Sequence, residues 1–494
     1  MNRPNLSPGL LALALCAALA GCAVGPDYKR PPVAVPAAFK EGEGWRMAQP
    51  ADLQSHGQWW SLYSDPTLND LQQRLLKANQ TLAESEASYR QSVALVKGAR
   101  ASFFPSVTGN VDKTRSGQGG SSSNVRLADG STVSSGGSGG VSNSYSASLG
   151  VSWELDLWGK LRRQLEADSA SRDASAADLA ASRLSLQSQL AQNYLQLRVM
   201  DQQIKLLNDT VEAYQRALKL TENQYNAGIV TKADVAQART QLKSTEAQAI
   251  DLKYQRAQLE HAIAVLVGLP PAQFSLAANG QVPKLPDLPV LVPSQLLERR
   301  PDIASAERKM ISANAQIGVA KAAWFPDLTL SATGGYRSGS FQNWIETPNR
   351  YWSIGPQFAM TLFDGGLIAS QVEQAEASYD QTVATYRQTV LDGFREVEDY
   401  MVQLKVLEEE SGAQKEALDA AREALRLTIN QYKAGTVDYN NVVTTQATAL
   451  SNERSELTLY GNRLVASVQL IAAMGGGWDS AQIASEGQKA VKTP

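Results

Sequence analysis

Few residues in this chain have the type and spacing for covalent chemistry. It carries two histidines and two cysteines, little material for a disulfide framework or a metal site. No phosphate-cradling GxxxxGK[ST] loop, GxSxG nucleophile or HExxH pair occurs, so reactions of those classes have no residues here. Cys22 is the exception. Arg3 and the apolar run Leu10–Leu19 lead into Leu19-Ala20-Gly21-Cys22. A charged start and a short apolar core read as a secretory signal rather than a spanning helix. Small residues directly before a cysteine resemble a bacterial lipobox, whose cysteine is acylated and becomes the mature N-terminus. The plainer alternative is an ordinary signal peptide with a cysteine there by chance. Cys16 lies in the segment to be removed, so the mature chain is expected to hold no disulfide. With 46 basic and 49 acidic residues, a net charge of −3 and no basic cluster, nothing favours a nucleic-acid partner.

The elements that must position such an anchor are dominated by long helices. Leu190, Leu197, Ile204, Val211, Leu218 and Tyr225 recur every seven residues, with Met200, Leu207 and Tyr214 three positions on. A seam held over so many heptads predicts a long helix in coiled-coil contact. The run from Trp158 to Tyr225 has no proline, and its glycines, Gly159 and Gly228, sit at its ends. Roughly 67 residues at ~1.5 Å each give a rod of about 100 Å. Val397, Leu404, Ser411, Leu418, Leu425 and Tyr432 repeat the seam 207 positions later, in the run from Asp364 to Tyr432. Ala320-Lys321-Ala322-Ala323-Trp324-Phe325-Pro326 likewise repeats Ala99-Arg100-Ala101-Ser102-Phe103-Phe104-Pro105, 221 positions later. The chain is an internal duplication.

In order, residues 1–21 read as signal peptide and 22–64 as an N-terminal tether. Within it, residues 23–58, with Pro26, Pro31, Pro32 and Pro36, predict extended chain with no core of its own. The first repeat, 65–268, opens with Asp65 as N-cap and Pro66 in the first turn of a helix from Leu68 to about Ala101. Then come a strand, a glycine-serine loop over about 116–144, a second strand, the rod, and a return helix from about Lys232 to Val267. A proline-punctuated linker (269–293) leads to the second repeat (294–474) and a C-terminal tail (475–494).

Each repeat supplies two strands of about 10 residues with alternating faces, the pattern of a transmembrane β-strand. Tyr145, Ala147, Leu149, Val151, Trp153 and Leu155 share one face, and Ser146, Ser148, Gly150, Ser152 and Glu154 the other. A soluble sheet with one dry face is the alternative. Against it, no second layer is available to cover the sheet. Aromatics also cluster at one strand end: Phe103, Phe104, Trp324 and Phe325 before the first strands, Trp158 and Phe363 after the second. All six would lie at one level, as an interfacial belt does. Four strands cannot close a barrel, and an open edge in lipid leaves backbone groups unpaired. The chain is therefore expected to oligomerise. The rods leave from the belt end, so they are expected in the periplasm with the glycine-serine loop outside.

Taken together, these residues resemble the TolC/OprM-type outer-membrane efflux factors, most closely the NodT-like lipoprotein branch. The carriers are Cys22 with Pro26-Asp27-Tyr28-Lys29-Arg30-Pro31, Trp59-Trp60 with Asp65-Pro66, Leu296 to Ile303, the two Phe-Pro strand starts and the paired turns around Gly228 and Gly435. The resemblance implies a mixed α and β membrane protein: a homotrimer with a 12-stranded transmembrane β-barrel, four strands per chain, continued by a long periplasmic α-helical coiled-coil tunnel. It implies diacylglycerol and N-acyl chains on Cys22, outer-membrane lipid around the barrel, and no other cofactor or metal. A periplasmic adaptor and an inner-membrane pump of the resistance-nodulation-division (RND) type are the implied partners. The implied function is a passive gated duct for small molecules, not an enzyme. Type I protein secretion shares the fold, and a lipid-anchored coiled-coil envelope scaffold would explain Cys22 and the seams but not the strands.

In the family the far turns form a gate held by polar links. Asp234 matches a gate aspartate and Tyr432 the tyrosine it bonds. Where relatives carry an arginine after the turn glycine this chain has Val437, and Asn441 and Thr444 stand where relatives often carry acids. Fewer charged links at the gate are therefore expected, with a weaker preference for cations. The alternative is that Tyr432 is only the last seam residue and Asp234 a helix-start acid favoured by the dipole.

Overall fold

A computed structural model describes residues 23–43, 45, 58–117, 122–126, 132–136, 141–288, 290 and 292–480. The signal segment, Cys22 and the tail beyond Ser480 lie outside the described residues. The helices are α1 (Pro66–Ala78), α2 (Gln80–Ala101), α3 (Lys160–Asn226), α4 (Lys232–Leu266), α5 (Pro293–Arg299), α6 (Pro301–Ala322), α7 (Leu367–Lys433) and α8 (Tyr439–Ala473). The strands are β1 (Ser106–Gly117), β2 (Ser122–Arg126), β3 (Thr132–Gly136), β4 (Val141–Leu155), β5 (Asp327–Ser338) and β6 (Arg350–Ala359). Among the described residues, no helix is long and apolar enough to cross a membrane. The chain divides into two compact units.

The first unit gathers Met1–Arg30, Ser92–Ser171 and Met310–Thr382 around an antiparallel sheet of order β1-β4-β5-β6. Its register joins the alternations of all four strands into continuous rows. Val107, Val151, Ala332 and Ile354 lie side by side, as do Gly109, Leu149, Gly334 and Trp352. One residue along, Thr108, Gly150, Thr333 and Ser353 form a polar row on the opposite face. Among the described residues nothing covers the apolar row: Val107, Ile354 and Trp352 are 66%, 66% and 72% exposed. Among the described residues, β1 and β6 each pair on one side only. The register brings the starts of β1 and β5 and the ends of β4 and β6 to one end of the sheet, where two of the predicted aromatics meet: Trp158 stacks on Phe325 at 4.8 Å and donates from Nε1 to the Pro326 carbonyl at 2.8 Å. The loop expected over 116–144 is instead partly strand. β1 and β4 extend into it, and β2 and β3 form a hairpin of their own, since backbone pairing needs no apolar side chains.

Residues 23–27 lie outside helix and strand, as proline content predicts, yet they are docked. Val24 N donates to the Trp158 carbonyl at 3.0 Å, Arg163 binds the Val24 carbonyl and the Asp27 carboxylate, and Asn314 donates to the Pro26 carbonyl. Gly318 permits this approach, because a Cβ there would meet the Val24 carbonyl oxygen at 2.8 Å.

The second unit comprises Pro31–Gln91, Arg172–Lys309 and Val383–Pro494 and is helical. Asp65 caps α1, accepting from the amides of Thr67 and Leu68 at 2.8 and 3.0 Å, and Pro66 opens it. The single helix expected from Leu68 to Ala101 is broken at Asn79. That residue takes an extended ψ of 127°; its Oδ1 accepts from Leu82 N to start α2, and its Nδ2 donates to the Leu266 carbonyl at the end of α4. Arg300 does the same between α5 and α6, donating to the Ala473 carbonyl at the end of α8. The seams pack as expected nearer the roots: Leu190, Leu197, Leu207, Val397 and Leu404 are buried, and Leu207 packs with Ala249, Leu252 and the half-buried Leu450. Both long helices count 67 residues and both return helices 35.

Candidate functional site

The turns joining long and return helices bring together the residues expected to form a gate. Each long helix ends in a paired hydrogen-bond motif. Gly228 N donates to the Tyr225 carbonyl and Ile229 N to that of Gln224, and Gly435 and Thr436 repeat this with Tyr432 and Gln431. Such an end needs a left-handed residue, which glycine supplies at low cost; φ is 77° at Gly228 and 75° at Gly435.

Tyr432 sits beside both turns. Its ring lies 5.6 Å from that of Tyr439 and packs on Ala238, Val442 and Val443. Its hydroxyl donates to Gln224 Oε1 at 3.1 Å. Partial burial pushes that hydroxyl up from its ordinary value, and the nearby Asp234 charge adds to the effect.

The tyrosine and aspartate expected to bond do not do so within this chain. Asp234 is the third residue of α4, and its carboxylate accepts from both the amide and the hydroxyl of Thr231 at 2.8 Å while Thr231 Oγ1 accepts from Asp234 N. This capping box engages Asp234 Oδ2, and within the chain the tyrosine's acceptor is Gln224. Asn441 and Thr444 are exposed on the first turns of α8. Thr444 Oγ1 donates to the Asn440 carbonyl, and the Asn441 carbonyl accepts from Thr445. Asp438, at the position repeating Thr231, makes no side-chain cap. An exposed pair, Arg239 with Glu222 at 3.0 Å, bridges α4 and α3 near the first turn.

Cys22 lies outside the described residues. Ala23, which follows it, lies against Gly159, where a Cβ would come 2.7 Å from the Ala23 Cα.

Sequence reading missed a buried charge network. Asp201, with its side chain 1% exposed, pairs with Arg256 at 2.6 Å and Arg198 at 3.2 Å. The two arginines donate to the backbone carbonyls of Leu276 and Ala277, and Asp201 accepts from Asn279 N. Arg198 also donates to the Tyr194 hydroxyl, which donates to Asp65. The signal available was two opposite charges, three residues apart, one position beyond the seam residues Leu197 and Met200.

The sequence model of the family described as outer membrane efflux protein matches residues 71–269 and 292–476. The antibiotic efflux pump outer membrane protein ArpC of Pseudomonas putida is 29% identical over 493 residues, covering 99% of this chain and 100% of that one. The toluene efflux pump outer membrane protein TtgC, also of Pseudomonas putida, is 29% identical over 493 residues, with the same coverage. The solved structure of the outer-membrane channel OprN superposes with a TM-score of 0.82 at 29% identity, covering 92% of this chain and 100% of that one. The family match takes in both repeats, with their strands, long helices and return helices, and the chain belongs to the outer membrane efflux protein family.

Proposed function

We propose that three copies of this chain close a 12-stranded barrel continued by a coiled-coil tunnel, a passive gated duct in the outer membrane. The observation that carries this reading is the sheet with two unpaired edges, β1 and β6, and one uncovered apolar face. In hydrocarbon each unpaired backbone group costs several kcal/mol, so edges must meet other edges. A periplasmic adaptor and an inner-membrane RND-type pump deliver small molecules to the duct, which performs no reaction itself. The relatives named for toluene and antibiotic efflux support small-molecule cargo over secreted protein. Cys22 carries diacylglycerol and an N-acyl chain, and mass spectrometry of the mature N-terminal peptide tests this. An unacylated cysteine, or cleavage elsewhere, would refute it.

The tip turns form the gate in this reading. Tyr432 ties the second turn to the first through Gln224, Asp234 holds the start of α4, and Asn441 and Thr444 face the passage without charge. Single-channel recording in a planar bilayer tests duct and gate together. Discrete steps, small at rest and larger in Asp234→Ala and Tyr432→Phe, are expected. Unchanged resting conductance in both variants would remove these residues from the gate.

A further inference from the structure

The apolar face of the sheet changes character at the loop end, away from the end where Trp158 meets Phe325. There Val111, Ala147, Tyr336 and Arg350 form one row, Lys113, Tyr145 and Ser338 the next, and Arg115 and Asn143 a third. The face thus finishes in two tyrosines and three cations. Lys113, Arg115 and Arg350 are exposed, and no acid stands on these rows. Asp112 lies on the opposite face, in the row of Ser146 and Arg337, and Glu346 in the loop between β5 and β6. That loop also returns Phe341 and Trp344 to the Tyr145 ring, at 5.5 and 6.4 Å, and Lys113 sits over the same ring at 5.5 Å. A second aromatic group therefore stands at the strand end where sequence reading expected none.

Its level follows from strand geometry. Ten residues separate Tyr145 from Leu155 on β4. At ~3.3 Å each and a tilt of about 35–45°, they rise roughly 25 Å, the height of the apolar band of an outer-membrane barrel. The tyrosines and cations then stand among the outer-leaflet headgroups. The strands are also staggered. Gly355 shares the row of Ser106, yet β6 runs four residues further, to Ala359; Arg350 shares the row of Val111, yet β1 runs six residues further, to Gly117. Tilt produces such stagger, and it sets Arg350 level with residues 115–117 of β1 rather than with Val111. Within one chain β1 and β6 are three strand spacings apart, about 14 Å. Where β6 of one copy meets β1 of the next, one spacing of ~4.8 Å separates them.

We propose that each junction between copies binds a phosphorylated lipid of the outer leaflet. Arg350 of one copy, with Lys113 and Arg115 of the next, holds its phosphates. The site rests on the three-copy barrel proposed above and is incomplete in a single chain. Arginine offers a planar fork that grips phosphate oxygens in pairs, and lysine adds a point charge. Tyr145, Tyr336, Phe341 and Trp344 lie against the upper part of the lipid, as girdle aromatics do. A zwitterionic headgroup brings its own cation and gains little from the patch.

Native mass spectrometry of the full-length protein in detergent tests this, because one spectrum reads both oligomer and bound lipid. Diphosphoryl lipid A and phosphatidylethanolamine are the probes. Wild-type trimers are expected to hold one lipid A per junction, to prefer it over phosphatidylethanolamine, and to keep it when inorganic phosphate is added. Lys113→Gln, Arg115→Gln and Arg350→Gln together should weaken lipid A binding by roughly 100-fold. Arg337→Gln, on the opposite face, should leave it unchanged. Trimers that bind both lipids alike, keep lipid A after the triple substitution, lose it equally with Arg337→Gln, or release it to inorganic phosphate would overturn the proposal and leave the duct standing. Chains that never form trimers would overturn both.

Discussion

At the scale of single residues, Asp65 holds two structures at once. One oxygen caps α1 and the other accepts from the Tyr194 hydroxyl at 2.7 Å. Asp65→Ala removes a cap worth about 1 kcal/mol and leaves a buried hydroxyl short of its acceptor, costing a further 1–3 kcal/mol or so. A lowered thermal midpoint, with α2 and the sheet intact, is the expected result. Burial, then the bond to Asp65, pushes the Tyr194 hydroxyl from its ordinary 10.0 up to about 12. The folded state therefore favours the neutral phenol. Its contribution to stability is full below about pH 10 and is lost as pH rises from 10 towards 12. Thermal unfolding at pH 9 and pH 12 should show a steeper alkaline loss in wild type than in Tyr194→Phe. Asp65 and Pro66 were legible in the sequence because a cap is a local signal. The Tyr194–Arg198–Asp201 network was not, because its partners lie 55 to 129 positions away. Position matching paired Tyr432 with Asp234, whereas within one chain the Tyr432 hydroxyl donates to Gln224 and Asp234 Oδ2 accepts from Thr231.

At the scale of elements, the two return helices are equal in length but start differently. Thr231 and Asp234 close a capping box on α4, while α8 begins at Asp438 without a side-chain cap. A cap stabilises a helix start by about 0.5–2 kcal/mol. Amide exchange in the first turn of α8 should accordingly run roughly 2- to 30-fold faster than in the first turn of α4, and Thr231→Ala should bring the two together. The buried seam behaves as core: Leu207→Ala, at 0% exposure, should cost about 2–5 kcal/mol by denaturant unfolding. Heptad spacing predicted both long helices because periodicity accumulates over many turns. The break at Asn79 was invisible, since one asparagine in a helical pattern carries little weight. Its counterpart at Arg300 precedes Pro301, which disfavours helical backbone at the residue before it.

At the scale of the whole molecule, the rows of the sheet divide the consequences of substitution by face. Ile354→Arg places a charge on the uncovered apolar row and should cost about 2–4 kcal/mol in lipid vesicles, whereas Ser353→Arg, one residue along, should leave folding intact and change ion selectivity. Equal costs for the two would return the sheet to a soluble reading. The strand faces were legible because alternation is a property of each strand alone. The β2–β3 hairpin was not, since glycine and serine carry no face to read. The matched counts of 67 and 35 residues carry a historical consequence. Tyr432 and Gln224 meet, and Tyr439 packs beside Ala238, only because both long helices advance equally from their roots. Deleting one heptad from α3 alone would shift one turn by about 10 Å against the other and sever that bond. Insertions and deletions in these helices therefore survive only as paired events, so two segments more than a hundred residues apart must change length together or not at all.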